Sequence, residues 1–83
     1  MNEKRNYVEE ILTLMRGKNS PKVLKDVINE YHGSDLADAM TRLDVKERQR
    51  FYRVLSNEHL AEVLEYTENA DEFLEEMSLA RAA

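Results

Sequence analysis

Glu58, Glu62 and Glu65 stand at positions i, i+4 and i+7, the spacing that places three carboxylates along one face of a helix. Like charges so arranged destabilise the helix slightly, and a cation relieves them. Hard divalent ions take oxygen ligands, and the smaller of them keep several waters while using only one or two carboxylates, so a weak site needs no complete protein cage. The other reading, a solvated face, is the one that residue physics alone favours. A second stripe, Lys46, Arg50 and Arg53 with Arg48 nearby, could meet phosphates. In a chain that is acidic overall, and with Phe51 and Tyr52 turned inward, it reads instead as a solvated face paired to neighbouring carboxylates.

Catalytic chemistry finds little to work with. His32 and His59 lie far apart, cysteine is absent, and no serine sits in a nucleophile elbow or a glycine-rich phosphate loop. His32 reads as a ring placed near a helix end where the dipole favours it, and His59 as a surface residue of a first turn. The chain is therefore expected not to be an enzyme.

The charge distribution sharpens this picture. Residues 1–56 hold 11 Lys/Arg against 9 Asp/Glu, whereas residues 57–83 hold one base, Arg81, against eight acids, giving −5 for the whole chain. An acidic third repels phosphate backbones and attracts cations or basic partners. Nucleic acid is thus not an expected target.

The elements that must position these residues are helices. Only three residues are Gly or Pro, 35% are charged, and Leu, Glu, Ala, Lys and Arg dominate, a mixture that favours helix over strand. No apolar run approaches the roughly 18 residues needed to span a bilayer, and the amino terminus lacks a signal-peptide core. The periodicity predicts a first helix from about Glu3 to Arg16, stopped by Gly17. Ser20 caps a second, with Pro21 at its first position, a buried stripe of Val23, Leu24, Val27, Ile28 and Tyr31, and Gly33 ending it where positive φ costs least. Ser34 or Asp35 caps a third, Asp44 with Glu47 a fourth and Ser56 a fifth, and Asn69 with Glu72 opens a sixth buried through Phe73, Leu74 and Met77.

Helices of about three turns joined with almost no loop suggest stacked helical pairs. Ser34, Ser56 and Ser78 recur every 22 residues, and LADAM from Leu36 is echoed by LAEVL from Leu60. Ser78 to Ala83 read as a new cap and the start of a seventh helix, so residues 1–83 are expected to be a single helical domain, incomplete at its C-terminus, within a longer array.

The run from Tyr31 to Tyr66, YHGSDLADAMTRLDVKERQRFYRVLSNEHLAEVLEY, resembles the intracellular N-terminal domain of MgtE-type magnesium transporters. The likeness lies in the His-x-x-Asp-Leu entry to a short helix, the Glu-Arg-rich helix carrying Phe51 and ending at Leu55, and the Ala61-Glu62-Val63-Leu64 motif. Gly33 departs from the proline usual after the histidine. The resemblance implies an all-α, right-handed superhelix of short helix pairs, of the HEAT or armadillo kind. It also implies CBS (cystathionine-synthase-type) domains of the same polypeptide as partners, a transmembrane channel beyond them, and a homodimeric full-length protein at the cytoplasmic face of a bacterial membrane. There the acidic domain senses intracellular Mg2+, bound weakly and shared with another domain, and Glu62 takes the place of the family's interface glutamate. A helical-repeat interaction module of the FliG-type flagellar motor switch is the alternative, because an Ala-Glu-Val-Leu motif after a tight turn occurs in both families.

Overall fold

A computed structural model describes residues 6–82, and these form six helices: α1 Tyr7–Arg16, α2 Pro21–Ile28, α3 Gly33–Arg42, α4 Val45–Val54, α5 Asn57–Glu65 and α6 Ala70–Ala82. The expected all-α class holds, with no strand among the described residues. Capping chemistry sets most of the helix starts. Asn6 Oδ1 accepts from Glu9 N at 3.1 Å, and Ser20 Oγ accepts from Val23 N at 3.3 Å with Pro21 at the first position behind it. Asp44 and Glu47 close a full capping box, each side chain accepting the other's backbone N–H at 2.8 and 2.9 Å. Ser56 caps α5 as expected.

Helices stack in two rows. The odd-numbered helices pack in sequence, α1 on α3 and α3 on α5, and the even-numbered do likewise, α2 on α4 and α4 on α6. Such i to i+2 stacking is what a repeat of helical pairs requires. The true repeat runs between the N-caps His32 and Ser56, 24 residues apart, the spacing that also separates Leu36 from Leu60. Between the rows lies one core that includes Ile11, Met15, Ile28, Leu36, Met40, Phe51, Tyr52 and Val63, each less than 2% exposed.

Several expectations need correction. Gly33 does not end α2 through a left-handed conformation; no glycine among the described residues has positive φ, and Gly33 is the first residue of α3. What ends α2 is a tightening turn, in which Glu30 N and Tyr31 N bond to Val27 O and Ile28 O at 3.2 Å. Neither Ser34 nor Asp35 caps α3; His32 does, its Nδ1 accepting from Ser34 N at 3.1 Å. His32 thus serves the N-terminal end of a helix, where a neutral ring nitrogen can accept. Ser78 starts no seventh helix. It lies inside α6 and donates its hydroxyl to Leu74 O at 3.0 Å, so the 22-residue serine spacing is not the structural repeat. Val23 and Leu74, expected inside, are 47% and 50% exposed. The expected start at Glu3 lies outside the described residues.

Carbonyls left over at the helix C-termini are taken by side chains of neighbouring helices and connections. Asn19 donates to Leu14 O and Arg50 to Met15 O at the end of α1, Arg16 to Arg42 O at the end of α3, and Arg48 to Leu43 O just beyond it. Arg53 reaches Ala80 O at 3.4 Å. The basic stripe of α4 is therefore mostly spent on closing backbone ends, with Lys46 exposed.

Candidate functional site

The start of α5 is fixed by one residue that the sequence alone did not mark. Asn29, at the C-cap of α2, donates from Nδ2 to Lys25 O at 2.7 Å and to Val54 O at 2.8 Å, while its Oδ1 accepts from Ser56 N at 2.8 Å. One amide thus ties the end of α2 to the turn from which α5 departs. Within that turn, Ser56 Oγ accepts from His59 N at 3.2 Å and lies 2.7 Å from His59 Nδ1. The histidine is held as part of the cap.

From this anchored start α5 turns Leu60 and Val63 inward and leaves Glu58, Glu62 and Glu65 exposed. Glu62 leans across to α3, where its side chain covers Gly33; a Cβ added at residue 33 would stand 2.6 Å from Glu62 Oε2 and 2.8 Å from Glu62 Cβ. One turn further along α5, Tyr66 meets the His32 ring, their centroids 5.9 Å apart. Glu62 and Tyr66 therefore form an edge of α5 that lies over the entrance to α3. Among the described residues no group of three or more His, Asp or Glu is arranged to hold a metal ion.

Of the eight acids in residues 57–83, Glu76 is withdrawn from the surface set. Arg48 grips it through two parallel bonds, Nε to Oε1 at 2.7 Å and an Nη to Oε2 at 3.1 Å, and the Tyr52 hydroxyl donates to Oε1 as well. The Arg48 guanidinium also lies over the Phe73 ring, 5.6 Å from its centroid. The Arg48 hydrogen bonds hold the Glu76 carboxyl below the usual carboxylate range. Burial, reinforced by the hydrogen bond to Glu76, pushes the Tyr52 phenol well above its ordinary value. This cluster clamps α4 to α6. The other seven acids, Glu58, Glu62, Glu65, Glu68, Asp71, Glu72 and Glu75, are all exposed.

Residues 31–83, more than half of the sequence, match the family model described as the MgtE intracellular N domain. The chain belongs to that family. The match begins at Tyr31, where the resemblance read from the sequence also begins, and takes in all of α3 to α6. No curated protein and no solved structure matches the chain. As an MgtE-type N domain it is a domain of magnesium transport proteins, and no helix of the described residues is long and apolar enough to cross a membrane. Helices α1 and α2 precede the matched stretch, yet α1 packs along α3 and α2 along α4.

Proposed function

We propose that this chain is the regulatory domain of a magnesium transporter, placed on the cytoplasmic face of a bacterial membrane and itself neither pore nor enzyme. In this reading it senses intracellular Mg2+ through the exposed carboxylates of α5 and α6, and docks on CBS domains of the same polypeptide in a homodimeric transporter. The observation that carries the reading is the set of seven exposed acids on the last two helices and the turn between them, in a chain of this family. Two acidic surfaces repel each other, and a divalent ion between them removes that cost. The ion therefore binds the docked arrangement better than the separated one and shifts the population toward it. Docked domains keep the channel closed; scarcity of Mg2+ separates them and lets it open. Continued stacking of helix pairs into a right-handed superhelix belongs to the same reading.

Glu62 is the metal residue of this proposal, its site shared with another domain. A domain offering only part of a ligand set binds weakly, so a residue-by-residue Mg2+ titration of the 83-residue chain is expected to show fast-exchange shifts centred on α5. Sub-micromolar affinity would contradict a shared site. In the full-length transporter Glu62→Ala is expected to move channel closure to higher Mg2+, and unchanged gating would remove Glu62 from the account.

A further inference from the structure

Gly33 is buried although it begins a helix, and what covers it is Glu62. The fit is too close for any side chain at residue 33. A Cβ there would meet Glu62 Oε2 at 2.6 Å, Glu62 Cβ at 2.8 Å and Glu62 Cδ at 3.4 Å. The oxygen ends a flexible side chain and could swing aside. Glu62 Cβ cannot, because it is fixed to the backbone of α5, so a residue larger than glycine must also push α5 away from α3. The adjoining contact of His32 with Tyr66 closes the same seam one helical turn further along α5.

We infer that Gly33 is a positioning residue for Glu62: the missing side chain at the start of α3 lets α5 approach until the Glu62 carboxylate rests over the first residue of α3. At this start Ser34 N–H is already taken by His32 Nδ1, and Asp35 N–H by His32 O, so what the Glu62 carboxylate meets is the positive end of the helix dipole, which stabilises an anion. A cation drawn to a carboxylate resting at such a place must compete with the helix terminus. The seat thereby sets the Mg2+ concentration at which Glu62 answers. This inference rests on the proposed role of Glu62.

The test uses the 83-residue chain, with backbone amide shifts recorded first without metal and then along a Mg2+ titration. In the metal-free protein Glu62→Gln is expected to move the amides of residues 33–35, since it removes a charge lying against the first residue of α3. Gly33→Ala is expected to move the amides around Glu62 and to lower the Mg2+ midpoint at Glu62 about two- to five-fold, the range that a helix-terminus interaction gives. Amides 33–35 indifferent to Glu62→Gln overturn the seat, and this arm stands even where Gly33→Ala does not fold. An unchanged midpoint in folded Gly33→Ala overturns the competition. If Mg2+ perturbs nothing around Glu62 in the unaltered chain, the cation reading beneath the inference falls, while the metal-free comparison still decides whether Gly33 seats the side chain.

Discussion

Glu76 shows how one residue can leave an acidic surface and join the framework. Its neighbours Glu72 and Glu75 are exposed, but Glu76 faces α4, where Arg48 and Tyr52 converge on it. A carboxyl whose folded pKa is depressed contributes stability that is present above its unfolded pKa and lost as pH falls through the folded value. Glu76 therefore stabilises the α4 to α6 contact at neutral pH, and that contribution fades in acid, starting below about pH 4 to 5. Glu76→Gln is expected to cost about 1 kcal/mol at pH 7, a charge-assisted bond discounted for partial solvent access. Urea unfolding at pH 7 and pH 3 checks this: the gap between the two proteins should narrow at the lower pH, and a gap of constant size would assign the loss to packing. The clamp was not legible in the sequence. Arg48 and Glu76 are 28 residues apart, and local charge spacing groups Arg48 with Lys46, Arg50 and Arg53 instead. The contact of Glu62 with Gly33 escaped for the same reason, since helical periodicity marks Glu62 as exposed without saying which backbone it rests on.

At the scale of the elements, local chemistry that satisfies itself was readable and chemistry completed across space was not. Ser20 with Pro21, Asp44 with Glu47, and Ser56 each hold a donor and an acceptor within four residues, so they announced helix starts correctly. Ser78 has the right residue type at the right interval, yet α6 runs through it because Met77 and Ala80 are buried on the helix's inner side. Its hydroxyl then bonds back to the preceding turn, as a mid-helix serine does. Gly33 misled in the opposite direction, because its lack of a side chain serves a close approach and its backbone conformation is ordinary. The end of α2 depends on Asn29, whose side chain bonds to the last turn of α2, the end of α4 and the N-cap of α5. Asn29→Ala leaves Val54 O and Ser56 N without that partner in a part-buried seam. A loss of about 2 kcal/mol is expected, measured as a lowered urea midpoint with an unchanged slope. Hydrogen exchange should rise first in the amides at the start of α5; a rise confined to α2 would show that Asn29 serves its own helix alone.

Across the whole molecule the two rows of helices divide the charge unevenly along the stack. The last helix pair, α5 and α6, and the turn between them carry the seven exposed acids, and the pairs before it carry most of the bases, several spent on helix ends. Self-repulsion among the seven acids opposes folding of that end, and any cation that screens it should stabilise the chain somewhat. Screening and binding are separable because screening depends on ionic strength, with a Debye length of about 10 Å at 0.1 M, whatever the salt. A site adds stability by mass action, on the order of 1 kcal/mol when the ion reaches ten times its dissociation constant. Thermal unfolding in MgCl2 and in NaCl at matched ionic strength therefore decides between a solvated acidic face and a cation-responsive one. The responsive surface is expected to raise the midpoint further in Mg2+ than in Na+, with the excess reduced by Glu62→Gln and left intact by Glu75→Gln, whose carboxylate is exposed on the other acidic helix. Equal midpoints in the two salts would leave the acids of α5 and α6 as a solvated face, and an excess indifferent to Glu62→Gln would move the responsive carboxylates elsewhere on that helix pair.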